Sequence, residues 1–249
     1  MHLLAEPGDI ELFVDFDGTL AAICDDPADA EMSATMWSAL QGLVSQLRRV
    51  SVVSGRPVSF LADRVPADID LFGLYGLEWQ VDGMVGEAEG TAVWREVVSA
   101  AVAEGTQRFG TDVVEDKGAS LTAHFRRRPE LEEAVVAWVD ETAVSSGLVM
   151  RSAKMSCELH PPVEVDKGSV LLDQALAPTV IFMGDDIGDL PAFEALRVLR
   201  ERGTETVGVV ARTDETPVEV LEIADVAVDG TAGVWGLLER LASGSELVD

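Results

Sequence analysis

Apolar residues fall along this chain in two rhythms, one continuous and one of helical period. Residues 10–16 form an apolar run broken by carboxylates only at Glu11, near its start, and at Asp15, the pattern of a strand covered on both faces in a parallel sheet. In residues 33–49, Met36, Leu40, Leu43, Val44 and Leu47 recur at helical spacing behind Ser33, a capping residue, and predict a helix. Short apolar runs at 50–53 and 71–77 read as strands, with a short helix at 58–65 between them. The alternation resumes near Lys167: a helix to residue 177, a strand at 179–183, a helix at 190–201, a strand at 206–210 and a helix at 232–242. Strands alternating with helices predict an α/β sheet built in two halves.

Between the halves the rhythm changes. Helical patterns at 93–109 and 129–145 each precede a stretch of strand character, at 113–126 and 148–160. Two helix-hairpin units predict a small α+β domain inserted into the sheet domain. The expected boundaries are 1–81 and 162–249 for the core and 82–161 for the insertion, with hinges near Gly83 and at residues 163–166. The tail GSELVD reads as a frayed end.

Charge narrows the partners. Eighteen basic against 45 acidic residues give a net charge of −27, which repels nucleic-acid backbones and anionic membrane faces. An anionic substrate must therefore meet basic groups placed locally. Two cysteines, Cys24 and Cys157, make no disulfide framework, and the N-terminus carries no basic region leading into an apolar one. A cytoplasmic, monomeric protein with a small-molecule partner is expected, binding neither nucleic acid nor membrane.

Ligands collect outside the carboxyl ends of the strands in such sheets. Four segments reach that edge: Asp15 to Thr19 (DFDGT), Ser54 to Arg56 (SGR), Asp166 to Gly168 (DKG) and Gly184 to Asp189 (GDDIGD). Each residue type there has a task in phosphoryl transfer. Asp15, rigid at a strand end, can attack phosphorus, and Asp17, two residues on, can protonate the leaving oxygen and then activate water. Gly18 lets the backbone turn toward a phosphate, and Thr19 adds a hydroxyl and an amide. Crowded carboxylates facing an anion require a hard cation such as Mg²⁺, for which Asp15, Asp17 and Asp185 are candidate ligands. Ser54, with Gly55 and Arg56 beside it, and Lys167 can hold phosphate oxygens, and Asp186 and Asp189 can orient Lys167 and metal-bound water. Singly, each segment is unspecific; their order and common placement carry the signal.

In that order the four segments resemble the motifs of the haloacid dehalogenase superfamily, and the second aspartate of DFDGT resembles its phosphatases and mutases. The resemblance implies a Rossmann-like core with a parallel sheet and an inserted α+β cap. A narrower one covers nearly the whole chain: VDFDGTLAAICDDPADA, VVSGRP, LYGLEWQVDG, VEDKGASLTAHFR, ELHPPVEVDKG and GDDIGD are similar to trehalose-6-phosphate phosphatases. It implies hydrolysis of trehalose 6-phosphate through an aspartyl-phosphate with Mg²⁺, and cap contacts to the sugar from Glu115, Lys117 and Glu158.

Three positions depart from the family pattern. Tyr75-Gly76 stands where His-Gly is usual, His160 where an arginine commonly precedes the proline, and Ile187-Gly188-Asp189 where Thr-Asp-Glu is usual. The first two leave open a related (pseudo-)disaccharide phosphate, such as validoxylamine A 7'-phosphate, or another sugar phosphate. A non-catalytic sugar-phosphate sensor has no need of both Asp15 and Asp17. His124 and His160 are expected to be hairpin residues, because a hard Mg²⁺ site does not favour imidazole.

Overall fold

The computed structural model describes residues 6–24, 26–153 and 155–243. The first five residues and the acidic tail, 244–249, lie outside them. The chain divides into two compact units, Met1–Gly86 with Val165–Asp249, and Glu87–Glu164.

In the first unit β1 (Ile10–Val14) is buried along its whole length. Its alternate side chains feed two cores: Leu12 and Val14 point to one face, Phe13 to the other. Helix α1 (Ala34–Val44) follows, and then β2 (Arg49–Val53), α2 (Val58–Ala62), β3 (Asp70–Gly73), β4 (Glu78–Val81) and β5 (Met84–Glu87). The second unit holds α3 (Arg95–Phe109), β6 (Val114–Asp116), β7 (Leu121–His124), α4 (Glu132–Ser146), β8 (Val149–Ala153) and β9 (Ser156–His160). The chain returns to the first unit through α5 (Lys167–Gln174), β10 (Thr179–Gly184), α6 (Leu190–Glu201), β11 (Glu205–Arg212), α7 (Val218–Ile223), β12 (Val226–Asp229) and α8 (Gly230–Ser243).

Among the described residues the main sheet has eight strands in the order β12-β11-β10-β1-β2-β3-β4-β5. The pairs from β12 to β3 are parallel, and β4 runs antiparallel to β3. Helices α1, α2 and α8 cover one face around Leu40, Leu61 and Leu238, and α5, α6 and α7 cover the other around Leu171, Phe193 and Val220. Strand order reverses at β1, since β2 and β3 run outward on one side and β10 to β12 on the other. That makes the β1/β10 edge the switch point where a crevice opens.

The second unit is a four-stranded antiparallel sheet, β6-β7-β9-β8, with one face packed on α3 and α4. Trp138 anchors this core, 1% exposed and edge-on to Phe109 with ring centroids 5.6 Å apart.

Several expected elements change extent. Helix α1 keeps its Ser33 cap, whose Oγ accepts from the Met36 N–H at 3.1 Å, but it ends at Val44. Residues 45–48 turn the chain so that Arg49 can start β2. The strand expected at 71–77 stops at Gly73, because Leu74 and Tyr75 both adopt positive φ, 50° and 60°. Asp82 and Gly83, φ 50° and 74°, form the tight turn between β4 and β5, three residues before the division between the units at Gly86. The short α7 and β12 had no strong periodic signal, being six and four residues long.

Candidate active site

Topology delivers the first three participants. The Asp15 N–H donates to the Met183 carbonyl at 2.8 Å, which fixes Asp15 immediately past β1 and against the end of β10. The next residue beyond β10 is Asp185, and Ser54 follows β2 on the other flank. Ser54 is buried, and its Oγ accepts from the Arg56 N–H at 3.2 Å, a turn that folds the SGR segment over the strand end.

Lys167 arrives from the first residue of α5. Asp166 caps that helix, accepting from the Ser169 N–H at 2.7 Å. Gly168 lies so close to the Pro191 carbonyl that a Cβ would collide with it, which allows α5 to pack tightly on the start of α6. The Lys167 ammonium thereby lies 2.7 Å from Asp15 Oδ1 and 2.6 Å from Asp189 Oδ1, and all three side chains are buried.

Asp189 organises the last loop. Its Oδ2 accepts from the N–H groups of Asp185 and Asp186 at 2.8 and 3.1 Å while Oδ1 takes Lys167, so one carboxylate ties β10 to α5. Asp186 turns aside and accepts from the Gly188 N–H at 2.8 Å. Gly18, at φ +76°, passes so near the Asp185 carboxylate that any Cβ would overlap it. Thr19 Oγ1 donates to Asp185 Oδ1 at 3.5 Å.

Asp17 goes elsewhere. Arg56 holds its carboxylate in a two-point ion pair, Nε to Oδ2 at 2.7 Å and the terminal nitrogen to Oδ1 at 2.8 Å. The Arg56 guanidinium stacks 4.5 Å from the Phe60 ring centroid. Of the three expected metal ligands the structure thus gathers the side chains of Asp15 and Asp185. Asp189 takes the third place, with ligand atoms of the three within 4.8 Å of one another. Asp189 was expected only behind the ligands; its position follows from the tight turn at Ile187–Asp189, which folds it back under β10.

The electrostatics of this cluster follow from crowding. Burial first, and then Asp15, Asp189 and Asp186, push the Asp185 carboxyl up to about 9, against the pull of Lys167. Burial raises Asp15 as well, with Lys167 opposing it. Burial alone lowers the proton affinity of Lys167, but Asp15 and Asp189 outweigh it and hold the ammonium well above the ordinary lysine value. Three carboxyl groups share one ammonium, so their excess negative charge is relieved by the proton that Asp185 retains or by a cation in its place, and every donor is an oxygen. A hard divalent cation fits that set in charge and in donor type. By contrast, an open cleft of about 410 Å³ lined by Leu20, Met36 and Trp235 offers Glu31 as its only ionisable group.

The remaining expected residues lie in the second unit. Glu115 on β6 sits 2.7 Å from His124 Nε2, Lys117 starts the turn into β7, and the buried Glu158 on β9 accepts from Ser120 Oγ at 2.8 Å. His124 and His160 lie on β7 and β9, and His160 Nδ1 lies 2.8 Å from the Pro161 carbonyl. Cys24 and Cys157 are free thiols, one in each unit. Sequence reasoning missed Ser120, which orients Glu158, and it expected Arg56 at the phosphate, where the structure pairs it with Asp17; neither pairing has a local signal.

A trehalose-phosphate phosphatase of Mycobacterium ulcerans is 33% identical over 246 residues, covering 93% of this chain and 61% of the relative. The chain thus spans about three fifths of the length of the mycobacterial trehalose-phosphate phosphatases it matches. The C-terminal domain of a C. albicans trehalose-6-phosphate phosphatase superposes with a TM-score of 0.77 at 21% identity, over 96% of this chain and 93% of that one. A haloacid dehalogenase-like hydrolase from B. subtilis shares the fold at a TM-score of 0.59 and 14% identity, over 93% and 99% of the two chains. The family profile described as trehalose-phosphatase matches residues 13–229, a stretch that includes Asp15, Lys167, Asp185 and Asp189. By that match the chain belongs to the trehalose-phosphatase family.

Proposed function

We propose that this chain is a Mg²⁺-dependent phosphatase that releases inorganic phosphate from trehalose 6-phosphate. The observation that carries the reading is the buried meeting of Asp15, Lys167, Asp185 and Asp189 at the switch point of the sheet, in a chain of this family. Asp15 is the nucleophile: its carboxylate attacks phosphorus, the bond to the sugar oxygen breaks, and an aspartyl-phosphate remains. Asp17, positioned by its ion pair with Arg56 in the resting chain, gives a proton to the departing sugar oxygen once that pair has opened and the carboxylate has been protonated. It then takes a proton from the water that opens the acyl phosphate. Ser54, the backbone of Gly18, Thr19 and Gly55, and Lys167 hold phosphoryl oxygens. Asp15, Asp185 and Asp189 would hold the Mg²⁺, with Asp186 behind them. When bound, the cation neutralises phosphoryl charge.

The second unit acts as a cap, and Glu115, Lys117 and Glu158 read the sugar. Carboxylates accept from vicinal hydroxyls and the lysine donates, so specificity resides in the cap and chemistry in the core. The protein works as a soluble cytoplasmic monomer on a small-molecule substrate; no helix among the described residues is long and apolar enough to cross a membrane.

The test is phosphate release with Mg²⁺ from trehalose 6-phosphate beside glucose 6-phosphate, sucrose 6-phosphate and validoxylamine A 7'-phosphate. Preference for trehalose 6-phosphate is expected. Preference for another of the four would move the cap assignment and leave the core. Asp15→Asn, which keeps shape and removes the nucleophile, is expected to lose at least about a thousandfold in kcat. Near-normal turnover in that variant excludes the covalent route.

A further inference from the structure

One hydroxyl in the second unit stands unpartnered. Thr122, on the central strand β7, is 5% exposed, and its Oγ1 is shielded from solvent with no hydrogen-bond partner. Buried hydroxyls nearly always find a partner, so an orphan of this kind calls for a ligand or a functional reason.

Its neighbours suggest which. Strand register places Thr122 opposite Glu115 on one side and opposite Glu158 on the other, and Glu158 in turn opposite Arg151. Glu115, Thr122, Glu158 and Arg151 therefore form one cross-strand row over all four strands. Their strand neighbours Val114, Leu121, Ala123, Cys157, Leu159 and Met150 pack into the helix-covered core, so the pleat turns the row to the opposite face. Ser120 holds Glu158 in place within this face. The row alternates hydrogen-bonding character: a carboxylate accepts, the hydroxyl does both, a carboxylate accepts, and the guanidinium donates. At about 4.8 Å per strand it runs about 14 Å, longer than a single hexose ring.

We propose that this row is a hydroxyl-reading strip, in which Thr122 and Arg151 join Glu115 and Glu158 in selecting the two-ring sugar of a disaccharide phosphate. The inference rests on the reading of this chain as a sugar-phosphate phosphatase. Glu115 and Arg151 are only partly buried, so a polyol laid along the row meets their headgroups first and reaches the Thr122 hydroxyl as they shift to bind it.

The experiment compares wild type, Thr122→Val, Thr122→Ser and Arg151→Gln by kcat/KM for trehalose 6-phosphate and for p-nitrophenyl phosphate, together with Tm. Thr122→Val preserves shape and deletes only the hydroxyl. The preference for the disaccharide phosphate over the aryl phosphate is expected to fall about threefold to tenfold in Thr122→Val and about tenfold or more in Arg151→Gln. Thr122→Ser retains the preference. If Thr122→Val raises Tm and keeps the preference, the hydroxyl is a structural orphan and the strip is overturned. If wild type turns over the aryl phosphate and no disaccharide phosphate, the substrate reading itself has failed, and the strip falls with it.

Discussion

Lys167 touches Asp15 and Asp189 at once, and only 2% of its side chain is exposed. Buried charges survive by mutual pairing, and removing one partner leaves the others uncompensated. Lys167→Met is therefore expected to cost about 3–5 kcal/mol of stability, measured by chemical denaturation of the metal-free chain, and to abolish phosphate release. A stable, inactive Lys167→Met protein would mean that the carboxylates shed their charge by taking up protons instead. Asp17 shows a different use of charge. Its two-point pairing with Arg56 sets the direction of a carboxylate that is one-third exposed, so the pair positions the group more than it stabilises the fold.

At the scale of elements, each unit has its own core. Trp138 of α4 packs on Phe109 of α3 and donates from Nε1 to Glu104 at 3.1 Å, and Gly105 leaves the room its ring fills. Trp138→Ala should cost about 3–5 kcal/mol, and because its contacts belong to the second unit, calorimetry should show a separate lower-temperature transition. A single shifted transition would show that the units melt together. Hairpin β4–β5 teaches the limit of local reading: VDGM at residues 81–84 carries an Asp-Gly turn signal, yet its flanking strands are four residues each and only partly buried, too short for a periodic pattern. Tyr75 is the converse case, a bulky residue with φ of 60° that no propensity would place there. Its N–H donates to the Ser54 carbonyl at 2.9 Å and its ring lies against Gly55, so contacts from another strand end hold it.

For the whole molecule, pH and metal are linked through the acidic cluster. The folded chain holds the Asp185 proton up to about pH 9, whereas an ordinary aspartate releases it near 3.8. The folded state thus binds more protons between those values, so this contribution is fully present below about pH 3.8 and is lost as pH rises through about 9. The Tm of the metal-free protein should fall from pH 5 to pH 9, and Asp185→Asn should make that fall shallower. Because a cation competes with the proton, Mg²⁺ should raise Tm more at pH 9 than at pH 5. A Mg²⁺ shift independent of pH would place the cation away from Asp185.

The sequence by itself determined the inventory and the order of parts. Residues 10–14 are apolar on both faces apart from Glu11, so a central strand follows; Leu190–Glu201 is amphipathic, so its helix was legible to the residue. The four motif segments were legible because each couples a strand end or a helix start to residues of unusual chemistry. Only the tertiary structure decided who meets whom. Asp189 joins Asp15 and Asp185 because a tight turn folds it back under β10, Arg56 claims Asp17 across 39 positions, and Thr122 falls between Glu115 and Glu158 because β7 lies between β6 and β9. Periodicity reports which side of an element is buried, but it carries no record of which element lies alongside. Strand order and register are set by the packing of the whole chain, and with them the distances on which the chemistry depends.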